Sequence, residues 1–141
     1  MLNKNFIVRK ISLIEEDILH LKDFSDLSIG EIVSDFGKKA IVERIMERVI
    51  SRAIDINQHI VGSFQEKESP KDYRDTFLML AELGVYDENF AKIISDSIGL
   101  RNILIHDYDK IDYEKVYSSI GDCVRDYTIY CGHILNFVSN K

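Results

Sequence analysis

The sequence predicts an all-α protein: an antiparallel bundle of four long helices plus a short one, in a single domain spanning residues 1–141. Three observations predict this fold. The chain contains one proline, Pro70, so long segments run without a helix breaker. In those segments apolar residues recur at spacings of three and four, which is the period of one helix face. A hydrophobic share of 45% and a charged share of 30% are typical of a globular chain.

The first two long helices are predicted from their apolar stripes. The first runs over about 5–24, and its stripe consists of Ile7, Ile11, Ile14, Ile18 and Leu21. The second begins between residues 34 and 38 and ends near Gly62, with a predicted buried face formed by Ile41, Ile45, Val49, Ala53 and Ile56. Residues 25–36 are predicted to form a connector with room for one helical turn.

The middle of the chain is predicted as a loop and a short helix. Residues 63–71 are polar and contain the proline. The short helix extends over 72–83 and ends at Gly84, a residue suited to a helix C-cap.

The remaining two long helices follow it. Asp87 is positioned to cap the fourth helix, whose one side carries Phe90, Ile94 and Ile98. Gly99 weakens that helix without having to end it. Residues 107–111 are predicted as a loop, and the last helix spans about 112–138 with an apolar face of Ile120, Val124, Tyr127, Cys131, Ile134 and Val138.

The charge balance and hydropathy exclude several classes. A net charge of -6 and a pI near 5.2 argue against an extended nucleic-acid-binding face, because phosphate contacts require clustered Lys and Arg, although a small local basic site remains compatible. The apolar runs are too short to cross a membrane. Residues 1–10 are mixed and charged and lack the apolar core of a signal peptide, so we expect a cytoplasmic protein without membrane association.

The two cysteines, Cys123 and Cys131, predict neither a disulfide nor a metal site. They lie eight residues apart in a predicted helix, so their backbones are separated by about 12 Å. A disulfide within the chain cannot span that distance. The Cys and His spacing does not suggest zinc, and we expect two reduced, partly buried thiols and no cofactor.

A candidate site lies at the end of the fourth predicted helix. On a wheel of about 100° per residue, Arg101 falls in the same sector as the apolar residues Phe90, Ile94, Ile98 and Ile105. An arginine in an apolar stripe requires a reason, because burying an unpaired charge is costly. Asn102 and His106 are four residues apart on the adjacent face, so the three polar side chains can point into one cleft. Tyr108 follows just beyond the helix end.

These residue types suit metal-free RNA cleavage. Histidine can exchange protons with a ribose 2′-hydroxyl or a leaving oxygen near neutral pH. Arginine offers a rigid fork of donors that matches phosphate, and asparagine can orient either partner. The structural alternative stays open at this point: His106 can cap the helix, and Arg101 can pair with Asp96, Asp107 or an acidic residue of another helix.

Two further groups of polar residues have both a functional and a structural interpretation. Asp55 and His59 form an i,i+4 pair that can bind metal or support a site, although hydrogen bonds between helices are the favoured prediction. A basic row at spacing four can contact RNA, although a solvated face paired with Glu43 and Glu47 is favoured; the row consists of Arg44, Arg48 and Arg52. Core or interface positions are predicted for Tyr113, Tyr117, Tyr127 and Tyr130.

The segment Arg-Asn-Ile-Leu-Ile-His-Asp-Tyr at 101–108 resembles the R-x4-H-x-Y motif of the HEPN superfamily, in its HepT toxin branch. The flanking segments 53–60, 81–85 and 109–112 also resemble that family, so that the similarity runs from about residue 40 to 117. Proteins of this branch are helical homodimers whose two motifs face each other across the interface.

The resemblance implies a function. Members are metal-independent RNase toxins, and their antitoxin is a minimal nucleotidyltransferase of the MNT type that uses ATP to adenylylate the motif tyrosine. In this chain the resemblance implies Arg101 as the phosphate and transition-state ligand, His106 as the acid/base, Asn102 as support and Tyr108 as the adenylylation site. The alternative is a non-catalytic helical subunit that binds a nucleotidyltransferase and contributes nucleotide-binding residues.

Overall fold

The computed structural model describes residues 1–64, 68–106 and 112–141, and within these ranges the chain forms eight helices and no strand. Their bounds are α1 Lys4–Ser25, α2 Ile29–Val33, α3 Phe36–Ser63, α4 Tyr73–Glu82, α5 Glu88–Ser95, α6 Ser97–His106, α7 Tyr113–Ser118 and α8 Ile120–Ser139. The predicted all-helical class, the first two long helices, the helical turn between them and the short helix before Gly84 are confirmed. The last helix, predicted as continuous over about 112–138, is instead divided at Ser119 into α7 and α8.

The long helices pack as an antiparallel bundle around α3. Lys10 near the start of α1 pairs with Asp55 near the end of α3, so that these two helices run in opposite directions. Arg101 of α6 contacts Ser51 of α3, whereas α8 packs mainly along α1 and reaches α3 through Tyr130, whose hydroxyl donates to the Ala53 carbonyl. A contiguous core of buried apolar side chains fills the space between them.

Side-chain caps fix where the helices begin. Asn3, Asp35, Asp72, Asp87 and Asp112 each accept a hydrogen bond from a backbone N–H in the first turn of the following helix. These bonds satisfy N–H groups that have no partner inside a helix. The predicted capping role of Asp87 is therefore confirmed, with Asp87 accepting from the Phe90 N–H at 2.7 Å.

The predicted cap at Gly84 is also confirmed. Gly84 has a φ of 85°, a left-handed conformation that suits glycine. Its N–H donates to the Ala81 carbonyl, and the N–H of Val85 donates to the Leu80 carbonyl. This pair of bonds is a Schellman motif, which stops α4 and turns the chain towards α5.

The fourth long helix differs from the continuous helix predicted, because it is interrupted at Asp96 and divides into α5 and α6. The hydroxyls of Ser95 and Ser97 donate to the backbone carbonyls of Lys92 and Ile94 at 2.8 and 2.7 Å. Hydroxyls that bond to the backbone in this way compete with regular helical bonds. The helix therefore breaks before Gly99, and the angular positions assigned on one continuous helical wheel do not apply across the break.

The predicted buried face of α3 is wrong at its first position. Ile41 is 49% exposed, whereas the next residue, Val42, is fully buried. Adjacent helix positions lie about 100° apart, so α3 can turn only one of them into the core. The other four predicted positions, Ile45, Val49, Ala53 and Ile56, are buried.

The described part of the chain holds no helix that is long and apolar enough to cross a membrane. Cys123 and Cys131 are both free, and both are buried more completely than the partly buried thiols predicted from the sequence.

Candidate functional site

Arg101 lies on the inner side of α6, where it contacts two other helices. Its Nε donates a hydrogen bond to Ser51 Oγ of α3 at 3.0 Å. Its guanidinium carbon lies 5.2 Å from the ring centroid of Tyr73, the first residue of α4, within the range of a cation–π contact. Arg101 is thus half-buried and held by a hydroxyl and an aromatic ring.

No carboxylate pairs with Arg101 among the residues that the structure describes. The predicted alternative partner Asp96 instead pairs with Arg74 at 3.0 Å. The other alternative, Asp107, lies outside the described residues. Since Ser51 is neutral, the contacts in the described ranges leave the positive charge of Arg101 available to an anion.

Asn102 and His106 lie on a different side of α6. Both are exposed, and they are one helical turn apart, with His106 as the last residue of the helix. Arg101 and His106 are separated by five residues, which places them about 7.5 Å apart along the axis and about 140° apart around it. The fold therefore presents Asn102 and His106 together to solvent and turns Arg101 inward. Tyr108 lies outside the described residues.

Sequence reasoning missed Ser51 and Tyr73 as partners of Arg101. Ser51 is 50 residues away from Arg101 in the chain, and Tyr73 is 28 away. Neither belongs to a local motif, and their proximity depends on how α3 and α4 pack against α6. The only available signal was the position of Arg101 in an apolar stripe, which implied some neutral or charged partner without naming it.

The basic row on α3 is a set of ion pairs rather than an open binding face. Arg48 and Arg52 both donate to the carboxylate of Asp17 on α1, with Arg52 at 2.7 Å. Asp17 is only 2% exposed. The carboxylate raises the pKa of the Arg48 guanidinium further above its usual value. The predicted pairing of these two arginines with Glu43 and Glu47 is therefore wrong.

Arg44 behaves as predicted, since it pairs with Glu47 at 3.4 Å. The sequence could not assign Asp17 to the row, because this carboxylate sits on another helix and interrupts a stripe that is otherwise apolar.

Asp55 and His59 make hydrogen bonds between helices, which confirms the favoured structural prediction. Asp55 accepts from Lys10 Nζ at 3.1 Å. His59 Nε2 accepts from the backbone N–H of Asn3 at 2.9 Å, and its ring packs against Phe6. Both residues thus attach the beginning of α1 to the end of α3. Within the described ranges, no three His, Cys, Asp or Glu side chains are grouped so that they can hold a metal ion.

The predicted core tyrosines make specific contacts. Tyr130 is fully buried and donates to Asn57 Oδ1 at 2.6 Å, and Tyr127 shares a hydrogen bond with Ser97 at 2.7 Å. Burial raises the pKa of both phenols well above the usual value. Tyr117 donates to Glu43 at 2.9 Å; burial, together with this carboxylate, raises its pKa as well.

A cavity of about 460 Å³ lies on another side of α6, between α5–α6 and α7–α8. Its lining includes Ser97 and Leu100 of α6 and Cys123 and Tyr127 of α8. Arg101, Asn102 and His106 do not line it, so the candidate site is separate from this cavity.

Comparison with known proteins identifies the family. The model of the family described as "Ribonuclease HepT-like" matches residues 14–134. The "tRNA nuclease HepT" of Aphanizomenon flos-aquae is 32% identical over 132 residues, which cover 94% of this chain and 89% of the relative. The "mRNA nuclease HepT" of Shewanella oneidensis is 27% identical over 124 residues, which cover 87% and 91%.

A solved structure has the same fold. The tri-AMPylated Shewanella oneidensis HEPN toxin, in complex with an MNT antitoxin, superposes with a TM-score of 0.81 at 25% identity, and covers 95% of this chain and 99% of that chain. The family model and the first relative each span most of the chain. The chain therefore belongs to the ribonuclease HepT-like family of the HEPN superfamily and is an endoribonuclease of that toxin family.

Proposed function

We propose that this chain is a metal-independent RNase toxin that cleaves RNA with Arg101 and His106, supported by Asn102, in a site shared by two copies of the chain. The observation that carries the proposal is the state of Arg101. It is half-buried, bonded to a neutral hydroxyl and paired with no carboxylate in the described ranges, while His106 is exposed at the end of the same helix. A guanidinium that only holds the fold would be expected to have an acidic partner, as Arg48 and Arg52 do.

The proposed reaction uses the nucleophile of the substrate itself. His106 takes the proton of a ribose 2′-hydroxyl, and the 2′-oxygen forms a bond to the adjacent phosphorus. The bond from phosphorus to the 5′-oxygen breaks, and that oxygen receives a proton. The products are a 2′,3′-cyclic phosphate and a 5′-hydroxyl. Arg101 stabilises the negative charge that builds on the phosphate oxygens.

The geometry of α6 favours a site that needs a second copy. Arg101 and His106 diverge by about 140° around the helix axis, so one chain does not readily direct both onto one phosphate. A homodimer in which two α6 helices face each other places a second histidine on the opposite side of the substrate. One histidine then acts as the base and the other as the acid.

We further propose that an MNT-type nucleotidyltransferase antitoxin silences the site by transferring AMP from ATP to Tyr108. The AMPylated state of the Shewanella oneidensis toxin supports this idea. Tyr108 follows His106 by two residues. A phosphodiester-linked AMP at Tyr108 adds negative charge and bulk two residues after His106, and we propose that this group repels RNA from the site. A Tyr108→Phe variant that the antitoxin still silenced by AMP transfer would contradict this assignment.

RNA cleavage in the presence of a chelator tests the enzymatic proposal. The purified protein is incubated with tRNA and with an mRNA transcript, together with His106→Ala and the matched control His20→Ala. His20 is an exposed histidine on α1 that the proposal leaves unused. We expect cleavage by the wild type and by His20→Ala and none by His106→Ala. Equal cleavage by all three proteins would remove His106 from the mechanism, and none by any of them would favour the non-catalytic binding subunit.

A further inference from the structure

We propose that Ser51 and Tyr73 are positioning residues that hold the Arg101 guanidinium and decide which of its edges meets the phosphate of the RNA. The inference rests on the proposed ribonuclease function. Neither residue belongs to the motif at 101–108, and each is supplied by a different helix, α3 for Ser51 and α4 for Tyr73. Among the described residues, they provide the hydrogen bond and the cation–π contact that Arg101 makes with other helices.

The hydrogen bond to Ser51 occupies one specific donor. A guanidinium carries five N–H groups and can bind an oxyanion through two donors at once, either along its Nε side or at the end formed by its two Nη atoms. The Nε–H of Arg101 is committed to Ser51 Oγ at 3.0 Å. The end formed by the two Nη atoms is therefore the edge that remains for bidentate contact with a phosphate.

The ring of Tyr73 restricts the same group from another direction. Its centroid lies 5.2 Å from the guanidinium carbon, so that the arginine rests against an aromatic surface. Tyr73 is 44% exposed and Arg101 is half-buried, so the two residues lie at the edge of the bundle. Without these two contacts, an arginine at such an edge would sample many rotamers. Because the contacts already restrict the side chain in the free protein, less conformational entropy is lost when the transition state binds.

Ser51 is well suited to this role because the helix segment that carries it is firmly attached. On either side of it in the chain, Arg48 and Arg52 both bind the buried carboxylate of Asp17 on α1. These ion pairs fix the register of α3 against α1 at the level of Ser51. The position of the hydroxyl, and through it that of Arg101, is therefore set by the packing of three helices.

A purely structural role predicts different behaviour from a positioning role. If Ser51 only satisfies a half-buried N–H group, its loss lowers the free energy of unfolding and changes the rate of RNA cleavage by the folded protein very little. If Ser51 positions Arg101, its loss lowers kcat while the fold and KM are largely retained, because the misdirected charge matters most in the transition state.

The test compares Ser51→Ala with Ser51→Thr and with the matched control Ser63→Ala. Ser63 lies on the same helix, and its hydroxyl donates to the His59 carbonyl and to that of Met1. We expect Ser51→Ala to lower kcat on tRNA about tenfold, with KM within about twofold and an unchanged thermal midpoint. Ser51→Thr keeps the hydroxyl and is expected to restore most of the rate. A Ser51→Ala variant as active as Ser63→Ala would overturn the proposal.

The same comparison separates this inference from the proposed function. His106→Ala serves as the inactive reference, so a wild type that does not cleave at all contradicts the function itself. A wild type that depends on His106 but not on Ser51 leaves the function standing and removes the positioning role. For Tyr73, Tyr73→Leu is expected to lower kcat several-fold, and Tyr73→Phe, which retains the ring, is expected to keep it.

Two further measurements examine the link to Arg101 directly. In an Arg101→Lys background, which has no Nε edge, adding Ser51→Ala is expected to change the single-turnover rate by less than about twofold. A full tenfold loss in that background would show that Ser51 acts without Arg101. In ¹⁵N-labelled protein, the Arg101 Nε–H resonance is expected to shift in Ser51→Ala and not in Ser63→Ala, and an unchanged resonance would contradict the contact whatever the activity.

Discussion

Replacing Asp17 by asparagine is expected to lower the free energy of unfolding by about 3 kcal/mol. Asp17 is 2% exposed, and its carboxylate accepts three hydrogen bonds, two from Arg48 and one from Arg52. A hydrogen bond to a charged group contributes about 1.5–3 kcal/mol. The arginine side chains are 38% and 22% exposed, so water takes over part of their solvation in the variant. We therefore count about 1 kcal/mol for each bond.

The loss is large enough to measure by thermal and chemical denaturation. The entropy of unfolding is about 2.1 cal/mol/K per residue, or about 0.3 kcal/mol/K for this chain, so 3 kcal/mol corresponds to a fall of about 10 °C in the melting midpoint. Far-UV circular dichroism in urea, at one fixed protein concentration, gives the free energy. Asp23→Asn is the matched control, since Asp23 is an exposed residue on the same helix. A change below about 0.5 kcal/mol in Asp17→Asn would refute the reasoning, because it would mean that water screens these ion pairs as it does at an open surface.

Three other substitutions or reagents probe the fold. Gly84→Ala is expected to lower the free energy of unfolding in urea by about 1 kcal/mol, because the φ of 85° strains a residue with a Cβ although no atom lies within 4 Å of where that Cβ would be. The control Gly132→Ala, in the exposed middle of α8, is expected to be neutral or stabilising, and equal effects of the two substitutions would contradict the argument. Burial raises the pKa of the Cys123 and Cys131 thiols to about 12, so little thiolate is present below pH 10 and Ellman's reagent is expected to react only as the protein unfolds. Rapid reaction of both thiols in the native protein at pH 8 would contradict this expectation. Tyr130→Phe leaves a buried amide oxygen without its donor and is expected to cost about 1–3 kcal/mol by the same denaturation assay, whereas a neutral effect would show that the oxygen finds another donor.

The fold was predictable from the sequence to the extent that local signals determined it. The stripe of α1 and the caps at Asp87 and Gly84 act within a few residues, so spacing and residue type are sufficient to find them. The break at Asp96 was not predictable in this way, because Gly99 is the more obvious weak point and the serine hydroxyls that interrupt the helix are compatible with a continuous helix as well.

The residues of the candidate site also differ in whether local sequence signals can identify them. Arg101, Asn102 and His106 lie on one helix, so their spacing and the resemblance to a known motif pointed to them from sequence alone. Ser51 and Asp17 each act across helices, at separations of 50 and at least 31 residues from their partners. Contacts of that kind depend on the packing of whole helices, which no local pattern of residue types specifies.

Cleavage of a defined RNA and of its 2′-deoxy counterpart, both in chelator, tests the central claim most directly. The RNA oligonucleotide is one that the wild type cuts at a mapped position, and the counterpart lacks only the 2′-hydroxyl at that nucleotide. We predict cleavage of the RNA to a 2′,3′-cyclic phosphate and a 5′-hydroxyl, no cleavage at the deoxy position, and no cleavage of either by Arg101→Ala or His106→Ala. Cleavage at the deoxy position, or products that carry a 5′-phosphate, would contradict the mechanism, because the nucleophile would then not be the hydroxyl of the substrate.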